Sequence, residues 1–233
     1  MVYARTLGGR TYTFQVSGKL WRNSLIMQDR ETRSSWSHVT GRAIDGKAKG
    51  AQLEKVQAVE TTWARWYAEH PETSVLAKSE EVSGSHYQSY FDNPERMGLF
   101  RSQWLVERMP GKTLVYGAAV GVHAVAVTES AVADGGMVNV DLGGTPVVVY
   151  RGGDGGVRAF VARAGGTDLV LKVDPKTNAA RDATGSVWDL TSGRSIAGDH
   201  KGTTLEAVAV TPVYWFAWSN FYPNTQVFES SQF

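Results

Sequence analysis

The sequence predicts a β-rich α+β fold built from internally duplicated units. Each unit carries a hairpin, a strand-turn segment and a short tryptophan-containing helix, and the two are expected to pack about a pseudo-twofold. Three observations lead there. Residues 32–76 align with 184–228 without a gap, 152 residues apart, and 17 of the 45 positions are identical, where unrelated segments would share roughly three. Glycines, 25 in all, and β-branched residues recur with turn signals at close intervals, the rhythm of short strands. Each copy then closes on two tryptophans three residues apart and a proline: Trp63, Trp66 and Pro71, and Trp215, Trp218 and Pro223.

The elements follow in order. Residues 2–7 and 10–16 flank Gly8-Gly9 and read as a hairpin, and residues 160–164 and 168–173 flank Gly165-Gly166 in the same way. Thr61 or Thr62 can cap a helix that runs to about His70 and stops before Pro71. In the second copy Thr211 is the expected N-cap, with Pro212 in the first helical position, where its missing N–H costs nothing. The tryptophans of each helix then share a face with His70 and Tyr222, respectively. Residues 112–118, 120–128, 137–142 and 145–150 read as central strands, with Gly143-Gly144 and the 152–156 glycine cluster as turns. Residues 80–104 read as a helical or irregular packed connector. No low-complexity linker separates the halves, so residues 1–233 are expected to form a single intertwined domain: a first repeat over about 2–77, the connector over about 78–111, central strands over about 112–150 and a second repeat over about 157–229.

Composition excludes several classes of partner. A formal net charge of +1 with scattered basic residues gives no electrostatic case for nucleic acid or an anionic membrane. The absence of cysteine removes disulfides, thiolate metal sites and cysteine nucleophiles together. The longest apolar stretch, residues 114–127, is too short to span a bilayer and reads as two strands. The N-terminal residues lack the shape of a signal peptide. A soluble, cytoplasmic protein is expected, with a removed secretory segment left open.

The repeated residues admit two readings. In one they serve the fold: glycines supply positive-φ turns, Ile44 and Leu53 point inward, the tryptophans pack in the core, and the Thr/Ser pairs close local turns. In the other, Ser34, Arg42 and Lys49 converge with Ser186, Arg194 and Lys201 on a cleft at the seam, where the arginine forks suit a carboxylate or phosphate. Differences between the copies single out further candidates. His38 stands against Leu190, His70 against Tyr222, Lys47-Ala48 against Asp199-His200, and Asp29-Arg30 against Arg181-Asp182. His38, His70 and Asp29 are therefore the catalytic candidates if one lobe alone carries a site. The five histidines are far apart in sequence, and His70-Pro71-Glu72 offers only part of a metal-binding triad, so a histidine-bound metal stays open as a cofactor without a defined ligand set. His123, in a valine-rich strand, reads as a core histidine. The segment from Gly41 to Lys47 has phosphate-loop spacing, but Ala48 follows where a hydroxyl residue is needed and no strand-to-helix context surrounds it.

Residues 14–18 (Phe-Gln-Val-Ser-Gly), 27–32 (Met-Gln-Asp-Arg-Glu-Thr), Ser34-Ser35-Trp36, and 215–218 (Trp-Phe-Ala-Trp) with Tyr222-Pro223 together resemble the bacterial and archaeal family catalogued as domain of unknown function 3179. The resemblance covers nearly the whole chain and brings no established activity with it. Members of that family usually carry a Cys-Pro-x-Cys-Gly strand just upstream of what is here Val2-Tyr3, and this chain starts after it. They tend to have Gln in place of His38, and many read Lys-Ala-Tyr-Pro where this chain has His123-Ala124-Val125-Ala126. The two histidine replacements count toward a specialised activity, a metal site included. The leading functional expectation is a small polar or anionic ligand bound between the repeats. The alternative is a cysteine-free enzyme using the first-repeat histidines, as ligands of iron, copper or zinc or as acid–base groups.

Overall fold

The computed structural model describes residues 1–77, 87–98, 107–174 and 179–229. Among them, strands far outnumber helices: three short α-helices, α1 (Trp63–Glu69), α2 (Gln88–Phe91) and α3 (Trp215–Phe221), and one 3-10 turn, Ser130–Gly135, interrupt several small sheets. No helix among the described residues is long and apolar enough to cross a membrane.

Two four-stranded sheets form the centre. In the first, Leu114–Val120 pairs antiparallel with His123–Thr128 and with Val210–Tyr214, while Gln226–Phe228 adds parallel to His123–Thr128. In the second, Met137–Asp141, Pro146–Arg151, Val157–Val161 and Ala207–Val208 run antiparallel in that order. Side chains alternate across a strand, and here both faces are buried. Val125, Val127, Val147 and Val149 enter one cluster shared by the two sheets. Ala124 and Ala126 face the α3 tryptophans, and Val148 and Tyr150 face Trp188. Burial on both faces explains why these strands read as near-continuous apolar runs rather than alternating ones.

Each half of the sequence also holds a four-stranded antiparallel meander. One comprises Phe14–Trp21, Ser24–Asp29, Ser35–Ser37 and Ala43–Asp45; the other Lys172–Val173, Ala180–Arg181, Val187–Asp189 and Arg194–Ala197. The two glycine-pair hairpins form as the sequence predicts, although shorter. Thr6–Leu7 pairs with Arg10–Thr11, and Arg163–Ala164 with Thr167–Asp168. All four glycines have positive φ, from 57° to 79°, as the tightest hairpin turns require.

Several expectations are corrected. Thr211 and Pro212 do not open a helix; they lie in the edge strand Val210–Tyr214, opposite Gly117 and Tyr116, and α3 begins at Trp215. An edge strand tolerates a proline because one side of it needs no ladder partner. Trp63 and Trp66 are not core residues. They are 53% and 42% exposed, whereas Trp215 and Trp218 are fully buried. Trp36 and Trp188 are buried as expected. Leu53 points inward, but Ile44 is only half-buried and Ile196, its counterpart in the alignment, is 55% exposed. His123 is exposed at the start of its strand, its ring lying against Gly143. Of the 80–104 connector only residues 87–98 are described, holding α2 with Tyr87 and Phe91 exposed; Phe100 and Trp104 lie outside the described residues.

Candidate functional site

The repeated Thr-x-Ser-x-Trp segments each wrap a buried aspartate. Asp29 accepts hydrogen bonds from Trp36 Nε1 (2.8 Å), the Thr32 hydroxyl (2.8 Å) and the Thr32 backbone N–H. Asp182 accepts them from Trp188 Nε1 (2.8 Å), the Thr184 hydroxyl (2.6 Å), and the Thr184 and Ser186 N–H groups. Burial pushes both carboxyls up, but the donors outweigh it and hold both below the usual carboxylate range. Ser34 Oγ lies 2.6 Å from Thr32 Oγ1 and accepts from Ala48 N; Ser186 Oγ lies 2.8 Å from Thr184 Oγ1 and accepts from His200 N. Asp29, Ser34 and Ser186 are therefore buried inside turns. The difference read between Asp29-Arg30 and Arg181-Asp182 closes up as well: one residue fewer separates Asp182 from its threonine, and the two carboxylates do the same work.

None of the four candidate cations is on the walls of the cleft around Arg151. Arg42, Lys49, Arg194 and Lys201 are all exposed, and none of their side chains makes a hydrogen bond or ion pair with a described residue. Arg42 and Arg194 instead hold equivalent backbone bridges, to Gln52 and Thr204. His38 is half-buried, its carbonyl accepting from the Tyr3 hydroxyl at 2.8 Å, and burial lowers its imidazole pKa. His70 caps the C-terminus of α1 and lies tilted against Trp66 with centroids 4.1 Å apart, where Tyr222 stacks on Trp218 at 4.2 Å. Among the described residues no group of three or more His, Cys, Asp or Glu comes together that could hold a metal ion.

A different set of side chains does converge. A cleft of about 310 Å³ opens between residues 58–65 and the ends of the central strands, with Glu60, Arg65, Tyr116, Glu129, Arg151 and Asp154 on its walls. Arg151 is the pivot, with 18% of its side chain exposed. Its Nη2 donates to Tyr116 Oη (2.7 Å) and Glu129 Oε1 (3.2 Å), its Nη1 donates to the Gly155 carbonyl (3.4 Å), and its buried Nε has no partner. Burial pushes the Tyr116 hydroxyl pKa up against the opposing charge of Arg151, so it stays protonated. Asp154 spends both carboxylate oxygens on Arg158, whose hydrogen bonds hold it below the usual range, while its backbone carbonyl accepts from Arg65. Two cations, Arg65 and Arg151, thus face two carboxylates, Glu60 and Glu129, that Arg158 does not neutralise.

None of these cleft residues is among the sequence candidates. Two left a trace there: Glu60 and Arg65 stand where the second copy has Pro212 and Ala217, a charge difference as marked as those at the histidines. Tyr116, Glu129 and Arg151 lie outside the repeated block and left none. Comparison with curated proteins and with solved structures yields no match. The family model described as "Protein of unknown function (DUF3179)" matches residues 1–225, nearly the whole chain, and the chain belongs to that family.

Proposed function

We propose that this protein binds a small polar ligand bearing both charge signs, an amino-acid-like zwitterion, in the cleft around Arg151. The observation that carries the reading is the presence of two cations and two carboxylates on one concave site, with Glu129 held by Arg151 and Glu60 on the facing wall. The volume of about 310 Å³ lies at the lower end of the range for small-molecule sites. Arg65 and Arg151 suit a carboxylate, Glu60 and Glu129 an ammonium group, and the Tyr116 hydroxyl a polar centre between them. A purely anionic ligand fits less well, because the two glutamates on the same walls would repel it.

In this reading the two sequence copies are duplicated units of a single domain, and the cleft lies where residues 58–65 of the first meet residues 210–212 of the second. The matched aspartate turns support it. So do the pairing of Val2 and Tyr3 with Val56 and Lys55 and that of Ala159 and Phe160 with Val208 and Ala207. Thermal-shift titration with glycine, L-glutamate and L-lysine, with succinate and putrescine as single-sign controls, tests the proposal. Zwitterions should stabilise the protein more than either control, and Arg151→Gln should abolish the effect. Equal shifts from all five compounds, or none, would sink it.

A further inference from the structure

α1 and α3 occupy equivalent places in the two aligned segments, and their surroundings differ completely. Trp218 packs over Gly117 so closely that a Cβ there would lie 2.4 Å from the ring, and with Trp215 it fills a cluster with Val115, Ala124 and Ala126 of the hairpin 114–128. The strand leading into α3, Val210–Tyr214, pairs with that same hairpin. α1 has no buried residue: Trp63, Trp66 and Tyr67 are each 42–53% exposed. The backbone leading into it, residues 58–61, forms no ladder with any described residue. Val75, at the position of the half-buried Val227, is 67% exposed. The helix is nevertheless finished as α3 is, with Trp66 Nε1 on Thr73 Oγ1 (2.9 Å) as Trp218 Nε1 is on Thr225 Oγ1 (3.1 Å).

We infer that the α1 face and the segment 58–62 are the docking site for an antiparallel β-hairpin of a separate partner protein, one presenting a glycine to Trp66 and small or β-branched residues around it. Magnitude decides against a simple helix-to-helix contact between two copies. At about 200 Å² per aromatic side chain, the three rings expose roughly 300 Å², against the ~800 Å² per partner that a stable interface buries. An added strand supplies more area and takes up unpaired backbone groups as well, the usual mode of β-augmentation. A second copy cannot lend its own 114–128 hairpin without uncovering its α3. The surface extends from the cleft, since Ala58, Glu60, Thr61, Thr62 and Arg65 of α1 line both.

The inference rests on reading α1 and α3 as counterparts. Its test is titration of the full chain with a synthetic peptide of residues 112–128, followed by tryptophan fluorescence and by NMR shifts of α1. Saturable binding with a blue shift is expected, weakened at least tenfold by Gly117→Leu in the peptide or by Trp66→Lys in the protein. No saturable binding, or equal binding of the Gly117→Leu peptide, overturns the proposal. So does a shift that needs no peptide and follows protein concentration, the mark of self-association, or one produced instead by anionic phosphatidylglycerol vesicles. Gly117→Leu within the chain separates the two failures: it should destabilise the fold by displacing Trp218. If it does and the peptide still fails to bind, the docking proposal falls while the counterpart reading stands.

Discussion

Burial alone would raise the carboxyl pKa of Asp29 and Asp182, yet converging indole, hydroxyl and amide donors hold both below the usual range. A carboxyl whose folded pKa is depressed contributes stability that is full above its unfolded value, about 3.9, and lost as pH falls through the folded one. Asp182→Asn should therefore cost about 1–3 kcal/mol at neutral pH and flatten the acid limb of stability, as urea titrations at pH 7 and pH 3 would show. The Thr-x-Ser-x-Trp pattern is plain in the sequence, but its acceptor is not, because Asp29 sits three residues before its threonine and Asp182 two. An ungapped alignment places Arg181 opposite Asp29 and hides the shared role. Lys55 works in the opposite sense. Burial lowers its pKa to about 8, with Tyr222 5.9 Å away and an alanine, Ala207, at the matching position. The folded state holds that proton at a cost that is full below pH 8 and fades toward pH 10.5. Lys55→Met should stabilise the protein by roughly 1–3 kcal/mol at pH 7 and by little at pH 10.5, which denaturation at the two pH values would read.

At the scale of elements, the two tryptophan helices show what local pattern can and cannot specify. Thr62 caps α1 and the chain turns at His70-Pro71 as the sequence predicts, because capping and proline geometry are local. Burial is not local. The same Trp-x-x-Trp spacing is inside the protein in α3 and outside it in α1, since only α3 has the sheet of residues 114–128 against it. Trp218→Ala should cost about 3–5 kcal/mol, whereas Trp66→Ala should cost under about 1 kcal/mol, measurable by chemical denaturation of each variant. Pro212 is ambiguous in sequence for a related reason: proline suits both a first helical turn and an edge strand, and only the pairing with Tyr116 distinguishes them.

At the scale of the whole molecule, the central strands were legible because burial on both faces writes a continuous apolar run, while the site was not. Its groups come from four separate stretches, at residues 60–65, 116, 129 and 151, and no spacing rule links them. The repeated serines close turns, whereas the charges that line the cleft are unrepeated ones. The most direct test of the account is an NMR titration of the full chain with L-glutamate, following backbone amide shifts. Saturable shifts confined to the amides around Tyr116, Glu129, Arg151 and residues 58–65, lost in Arg151→Gln and reduced in Glu129→Gln, are the predicted result. Shifts centred instead on Arg42, Lys49, Arg194 and Lys201, or no saturation at millimolar ligand, would contradict it.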